Sequence, residues 1–152
     1  MSTYTATVRW TRDRSNDFAK GQYRRAHEWV FDGGAVVPAS PSPHVVPAPW
    51  SNQAGVDPEE AFVASLSSCH MLFFVDFARR AGLVVDSYVD EAKGLLEKRT
   101  DGKIAMTRVT LHPRVTWGGN PPAEAAIADL HHRAHEACFI ANSVTTEVTV
   151  DH

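Results

Sequence analysis

Two cysteines, Cys69 and Cys138, are the residues of this chain best suited to redox chemistry. A cysteine reacts as the thiolate, and a thiolate forms readily only beside a cation, a helix N-terminus or a hydrogen-bond donor. Cys69 follows Glu59 by ten residues and lies well inside a predicted helix, where the helix dipole is weak. Carboxylates such as Glu59 and Glu60 raise the pKa of a nearby thiol unless they orient a cation. From the residues alone, each cysteine fits a small buried core residue equally well.

Composition limits the class of protein. The chain has 152 residues, 43% of them hydrophobic, and a formal charge of -3, so it has no broad basic field that would attract nucleic acid. The N-terminal residues lack the apolar core of a signal peptide, and we expect no membrane span. We therefore predict a cytoplasmic protein. In that reducing compartment a cysteine pair is better evidence for transient redox chemistry than for a structural disulfide.

Hydrophobic periodicity predicts strands at the start of the chain. Tyr4 to Trp10 alternates, Tyr23 to Phe31 is rich in aromatic residues, and the two are expected to form a hairpin. Five prolines between Gly33 and Gly55 disfavour a helix or a central strand. We expect an irregular segment there that lines a site or a subunit interface.

A long helix is predicted next. Asp57 is a suitable N-cap, Pro58 suits the first turn, and Gly82 ends a helix that should run to about Arg80. Apolar residues occur on nearly every side of this segment. The pattern predicts a central, buried helix, and because one chain of this size can hardly cover it, the pattern also favours a dimer.

The second half is predicted to add an antiparallel pair of strands, Ser87 to Lys98 and Met106 to Trp117, joined by a turn at Thr100 to Lys103. A second helix is expected to open at Asn120 as its cap and to end near Cys138.

A last strand, Val144 to Val150, should close the chain. This order of elements predicts an α+β fold with an antiparallel sheet, a long buried central helix and a second helix, as one domain over residues 1–152.

Two segments resemble the signatures of the OsmC/Ohr family. They are Asp57 to Gly82, with Ala-Ser-Leu-Ser-Ser-Cys-His-Met, and His135 to Val148, with Cys-Phe-Ile-Ala-Asn-Ser-Val. The resemblance extends over almost the whole chain. It implies a cytoplasmic thiol peroxidase of the peroxiredoxin-like, two-cysteine type, built as an intertwined homodimer with active sites at the subunit interface.

The resemblance also implies roles for three residues. Cys69 matches the peroxidatic cysteine, Cys138 the resolving cysteine and Glu59 the active-site carboxylate. The implied substrate is an organic or fatty-acid hydroperoxide, and the implied partner is a dithiol reductant, typically a dihydrolipoyl protein, with no bound cofactor or metal. Apolar residues suited to the tail of such a peroxide are Phe62, Phe73, Phe74 and Trp50.

The sequence departs from the family pattern at the arginine that holds the thiolate. Pro49 occupies the place where one branch has this arginine, and no arginine occurs between Arg25 and Arg79. The candidates for the missing cation remain open; they are Arg12, Arg14, Arg24, Arg25, His27 and His44.

Two other functions are compatible with the residues. The first is an OsmC-like ligand-binding or structural protein with weak or no peroxidase turnover. The second is metal binding by His131, His132, His135 and Cys138, since His131 and His135 share a helix face at ligand spacing. Histidines near a helix C-terminus are more often solvated residues stabilised by the dipole, which we expect here.

Overall fold

The computed structural model describes all 152 residues of the chain. Contacts between residues divide it into two compact units, Met1–Ala61 and Phe62–His152. The single domain predicted over residues 1–152 stays a prediction.

The first unit contains a three-stranded antiparallel sheet. Its strands are β1 (Ala6–Arg9), β2 (His27–Phe31) and β3 (Val36–Ala39), in the order β1-β2-β3. The β1–β2 pairing confirms the predicted hairpin. The prediction that residues 33–55 are wholly irregular was wrong, because β3 lies within them. Pro38 fits this strand because β3 is an edge strand, where a proline withholds no bond from a further strand.

The first helix, α1, covers Pro58–Arg80, as predicted. A capping box fixes its start: the Glu60 N–H donates to Asp57 Oδ1 at 2.7 Å, and the Asp57 N–H donates to Glu60 Oε2 at 3.1 Å. Gly82, with a φ of 77°, follows its last turn in the left-handed conformation that favours glycine.

Burial along α1 is confined to one stripe, formed by Leu66, His70, Phe74 and Ala78. Leu72 is 63% exposed. The predicted central helix is therefore buried along one face, and the face that carries Leu72 is uncovered in the single chain, as expected of a helix that one chain of this size can hardly cover. By length and composition alone α1 could cross a membrane, a test that core helices of soluble proteins also pass.

Five strands follow in the second unit: β4 (Val85–Asp90), β5 (Lys93–Lys98), β6 (Ile104–Leu111), β7 (Pro113–Trp117) and β8 (Glu147–Val150). β4 pairs with β7, and β5 pairs with β6 through the predicted turn; both pairings are antiparallel. β8 is parallel to β6.

Each of the two long strands predicted in this part of the chain is broken into two. The break between β6 and β7 falls at His112, whose N–H donates to the carboxylate of Asp90 at 2.7 Å instead of to a neighbouring strand. The Asp90 side chain thus accepts the backbone hydrogen bond that a neighbouring strand would otherwise accept, at the point where the chain passes from one sheet to the other.

The second helix, α2, covers Glu124–Ala137. Its cap is Ala123, so the prediction of Asn120 as the cap was wrong. The physical reason is the pair Pro121-Pro122, because a residue that precedes proline is driven out of the helical conformation. Pro121, which precedes Pro122, is therefore disfavoured in the helix, and the helix begins after both prolines.

Two apolar clusters in the second unit pack against the buried stripe of α1. One joins Phe74 and Ala78 to Leu130 and Ala134 of α2. The other joins Leu66 to Val109 and Leu111 of β6, with Ile140 and Ala141 packed beside them.

Candidate active site

Cys69 lies in the middle of α1 and is half-buried. One helical turn further along is Phe73, on the same side of the helix. Because its thiol keeps some solvent access, Cys69 is the more available of the two cysteines.

Cys138 occupies the C-cap of α2 and is 1% exposed. Its N–H donates to the carbonyl of His135 at 3.2 Å, and its sulfur accepts a bond from the Ala141 N–H at 3.4 Å. The chain leaves α2 at this residue and turns at once through the 3-10 helix Ala141–Ser143. Cys138 is thus held from both directions along the backbone.

The two thiols lie close enough for Cys69 to influence the protonation of Cys138, and they are not joined in a disulfide. Burial raises the pKa of the Cys138 thiol well above its ordinary value, and the neighbouring Cys69 side chain raises it further. The structure therefore brings the two cysteines together and keeps the proton on Cys138.

Aromatic rings border the thiols. Phe73 packs edge-to-face on Phe139, the residue after Cys138, with ring centroids 5.1 Å apart. Phe139 is 69% exposed. Phe74, which we expected to suit the tail of a peroxide, is instead fully buried against His131 in the core, so it is unavailable to a ligand.

Glu59 lies in the first turn of α1 and is half-buried. Ten residues of helix separate it from Cys69, about 15 Å along the axis. The structure therefore does not bring Glu59 to the thiol of its own helix. Its neighbour Glu60 is engaged in the capping box, whereas Glu59 makes no salt bridge within the chain.

A buried histidine pair, His70 and His131, was missed by sequence reasoning. The two side chains are 1% and 2% exposed, and His70 Nε2 lies 3.0 Å from His131 Nδ1. Burial, first among several causes, lowers the pKa of His70 to about 4 and that of His131 to about 3. Both rings are therefore neutral at pH 7, so His70 supplies no positive charge to its neighbour Cys69. The available signal was spacing, since His70 lies midway between Leu66 and Phe74 on one helix face.

The metal-binding alternative gains no support. His131, expected on a solvated face, is buried against His70. Of the four proposed ligands, His131, His132, His135 and Cys138, only His132 is exposed. The chain contains no group of three or more histidine, cysteine or acidic side chains arranged to hold a metal ion.

Comparison with known proteins identifies the family. The family model described as OsmC-like protein matches residues 51–152, which include Glu59 and both cysteines. The chain belongs to the OsmC-like family. A solved OsmC-like protein of unknown function from Vibrio cholerae is 52% identical, with a TM-score of 0.97 and 99% of both chains covered.

More distant members of the OsmC/Ohr family share the fold. An organic hydroperoxide resistance protein OsmC from Legionella pneumophila, also described as a predicted redox protein, has a TM-score of 0.73 at 14% identity, with 99% of this chain and 96% of that chain covered. OhrB, an organic hydroperoxide resistance protein of Bacillus subtilis, has a TM-score of 0.71 at 21% identity, with 99% and 97% covered. No curated protein matches the chain. These structures confirm the predicted α+β, OsmC/Ohr-like architecture.

Each candidate for the missing OsmC-family cation lies in the first unit, and two of them are already engaged there. The Arg25 guanidinium lies 3.9 Å from the centre of the Tyr23 ring and donates to the Tyr23 carbonyl at 2.9 Å. Both ring nitrogens of His27 are hydrogen-bonded, to the Arg25 carbonyl at 2.8 Å and to Trp29 Nε1 at 3.2 Å. These contacts leave neither side chain free to serve a thiolate.

Arg24 is held differently. Its N–H donates to Asn16 Oδ1 at 2.9 Å and its carbonyl accepts from Trp10 Nε1 at 3.0 Å, whereas its guanidinium makes no salt bridge within the chain. The residue lines a cavity of about 230 Å³, whose other walls are Ala26, Pro49, Trp50, Ser51 and Asn52. Arg24 is therefore a cation with a fixed backbone and an uncommitted side chain.

Proposed function

We propose that this protein is a thiol peroxidase that reduces organic hydroperoxides to alcohols. The observation that carries the proposal is the adjacent pair of reduced thiols, one half-exposed and one buried and protonated. Such a pair suits a two-cysteine cycle, in which the exposed thiol meets the oxidant and the buried one reacts second.

In the first step the Cys69 thiolate attacks the terminal oxygen of the hydroperoxide. The O–O bond breaks, the alkoxide leaves and takes up a proton to become the alcohol, and Cys69 becomes a sulfenic acid. The sulfur loses two electrons and the peroxide gains them. Cys138 stays protonated during this step, so it does not compete for the peroxide.

In the second step Cys138 attacks the sulfenic sulfur. The S–O bond breaks, water leaves with the proton that Cys138 gives up, and a Cys69–Cys138 disulfide forms. An external dithiol then exchanges with this disulfide, restores both thiols and is itself oxidised. A dihydrolipoyl protein is the expected reductant, and no bound cofactor is required.

The rings beside the thiols support an organic substrate over hydrogen peroxide. Phe73 and Phe139 offer an apolar surface next to the reacting sulfur, and Phe139 is exposed enough to receive an alkyl or aryl group. Hydrogen peroxide has no apolar group to bury there. We therefore propose organic hydroperoxides, fatty-acid hydroperoxides included, as the substrate class.

Arg24 is our candidate for the cation that stabilises the Cys69 thiolate, supplied by a second copy of the chain. Its uncommitted guanidinium favours it over Arg25 and His27. We assign Glu59 of the same second copy to orient this cation, because Glu59 lies far from the thiol of its own helix, Glu60 is engaged in the helix cap, and a carboxylate beside a thiol helps only when it holds a cation.

An intertwined homodimer is part of this proposal. All four residues of β1 are exposed in the single chain, and the apolar face of α1 that carries Leu72 is uncovered. A second copy could cover both surfaces, and a site completed at the subunit interface would then receive its cation from the partner. We propose a cytoplasmic protein, because free thiols in a redox pair need a reducing compartment.

The direct test is to mix reduced protein with equimolar cumene hydroperoxide in a stopped-flow instrument and to count free thiols over time. We expect rapid loss of two thiols in the wild type, none in Cys69→Ser and a trappable sulfenic acid in Cys138→Ser. Arg24→Gln should slow the first step about tenfold or more, whereas the matched variant Arg25→Gln, whose guanidinium packs on Tyr23, should not. Thiol loss no faster than that of free cysteine would refute the peroxidase.

A second candidate function is an OsmC-like ligand-binding or structural protein. The observation in its favour is that no lysine or arginine of the same chain is hydrogen-bonded to Cys69, so no cation within one chain is bonded to the thiol. Under this alternative all variants lose thiols at the slow rate of the wild type. Phe139→Ala would then leave the reactivity unchanged, whereas under the peroxidase proposal it slows cumene hydroperoxide more than hydrogen peroxide.

A further inference from the structure

The bond between His70 and His131 is the one hydrogen bond in the chain that joins a side chain of α1 to a side chain of α2. The nitrogens lie 3.0 Å apart, and the rings stack with centroids 5.3 Å apart at 11°. Phe74 packs on the His131 ring at 4.2 Å, and His152 lies 4.6 Å from it. The pair is therefore enclosed on several sides.

Burying this pair costs stability. His70 Nδ1 and His131 Nε2 are both buried without a hydrogen-bond partner. One of these nitrogens carries a proton and the other a lone pair, whichever tautomers are present, so a donor and an acceptor are both left unsatisfied. Two apolar side chains of similar volume would avoid this cost. The pair therefore needs an explanation other than stability.

Its location relative to the thiols supplies one. His70 directly follows Cys69 on α1, and His131 precedes Cys138 by seven residues, about two turns of α2. The other contacts between the two helices are apolar, through Phe74, Ala78, Leu130 and Ala134, apart from the Arg133 guanidinium, which packs on the Phe77 ring at 4.6 Å. Apolar contacts are not directional, whereas a hydrogen bond keeps its two nitrogens within a few tenths of an ångström.

The tolerance of the chemistry is narrow. A disulfide requires Cα atoms about 4.4–6.8 Å apart, and a slip of one residue along a helix is about 1.5 Å. We propose that the His70–His131 bond fixes the register of α2 on α1 and so holds the sulfurs of Cys69 and Cys138 in position to bond. The two histidines are positioning residues, which act through the cysteines and touch no substrate.

This inference rests on the proposed function only in treating the disulfide as a step of turnover. Its test uses the disulfide itself. The equilibrium constant for forming the Cys69–Cys138 bond is measured against mixtures of oxidised and reduced dithiothreitol, with no peroxide present. Stability is measured on the same reduced proteins by urea denaturation.

The informative variant is the double replacement His70→Leu with His131→Leu, which removes the bond and leaves no unpaired partner. We expect its reduced form to be at least as stable as the wild type, while its disulfide equilibrium constant falls about tenfold. The single variant His131→Asn keeps His70, and its amide nitrogen can stand where Nδ1 was. Its disulfide equilibrium constant should therefore lie nearer the wild-type value than that of the double variant.

Two controls separate register from folding. His132→Leu changes an exposed histidine of the same helix and should alter neither measurement. Leu130→Ala removes a buried contact between the same helices and should lower stability while leaving the constant near that of the wild type.

A wild-type constant in the double variant would overturn the inference, as would a wild type that forms no disulfide with dithiothreitol. A wild type that forms the disulfide but does not react with cumene hydroperoxide would refute the peroxidase alone.

Discussion

The thiol of Cys138 lies beside Cys69, and its pKa is raised by burial and by this neighbour. Cys138 is buried, whereas Cys69 is half-exposed on the middle of α1. This asymmetry assigns an order to the two residues, because the thiol that keeps its proton is a poor nucleophile until its neighbour has been oxidised. The local sequences around the two cysteines do not by themselves show which one reacts first.

The order of reactivity can be measured by alkylation. With iodoacetamide at pH 7.5, we expect Cys69 to be modified about tenfold faster or more than Cys138, because burial limits both access and the thiolate fraction of Cys138. Peptide mass spectrometry on quenched time points measures the two rates separately. In Cys69→Ser, Cys138 remains buried and should stay slow. Equal rates for the two cysteines in the wild type would contradict the assigned order.

Acid should destabilise the protein through its buried histidines. The pKa values of His70 and His131 are lowered from 6.5 to about 4 and about 3, so below pH 6.5 the unfolded chain binds protons that the folded chain does not. Stability is therefore full above pH 6.5 and is lost as the pH falls. Between pH 6.5 and pH 5 the loss is about 2 kcal/mol for each histidine. Urea denaturation at a series of pH values measures this slope.

The matched control again uses the His70→Leu, His131→Leu double variant. Without the two titrating groups, we expect a much flatter dependence of the free energy of unfolding between pH 6.5 and pH 5. His132→Leu removes an exposed histidine and should keep the wild-type slope. If the double variant and the wild type lose stability in parallel, other groups dominate the acid response.

The sequence allowed α1 to be predicted closely, because its signals are local. Asp57, Pro58 and Gly82 determine where the helix begins and ends, whatever packs against it. The start of α2 was misjudged although its signal is also local: Asn120 is a suitable cap by residue type, but Pro122 disfavours the helical conformation at Pro121.

What could not be predicted depends on contacts distant in the chain. His70 and His131 are 61 residues apart, and the sequence around either one gives no sign that it is buried with the other. Only the packing of α1 on α2 makes them a buried pair. The prediction that Cys69 and Cys138 act together came from a resemblance and not from their spacing. The local sequence does not indicate which helix end packs against the middle of another helix.

Gly94 on β5 is predicted to be required for close packing of α1. A Cβ at this position would lie 2.3 Å from Met106 Cε and 2.5 Å from Val63 Cγ2. The methionine end can move, but the branched Val63 side chain on the helix has little freedom. We expect Gly94→Ala to lower the free energy of unfolding by about 1–3 kcal/mol, measured by urea denaturation.

Gly33 provides the comparison for that substitution. A Cβ there would meet nothing within 4 Å, and its φ lies outside the left-handed region. Gly33→Ala should therefore leave stability unchanged or raise it slightly, by restricting the unfolded chain. A Gly94→Ala protein as stable as Gly33→Ala would mean that β5 and α1 can separate without cost.

The uncovered face of α1 leads to a prediction about assembly. Leu72 is 63% exposed and Val75 37% exposed on α1, and Phe139, next to Cys138, is 69% exposed. If a second copy covers this face, Leu72→Asp buries an unpaired carboxylate in the interface. That should weaken the dimer by about 3 kcal/mol, or about a hundredfold in Kd. Sedimentation velocity over a range of protein concentrations measures the change, and Leu72→Met, which keeps the apolar volume, should remain a dimer.

Because the proposed cation reaches Cys69 only in the dimer, the Leu72→Asp protein should also lose its reactivity with cumene hydroperoxide as it dissociates. A monomeric Leu72→Asp protein with undiminished reactivity would show that one chain contains the complete site, and would exclude a cation supplied by the partner.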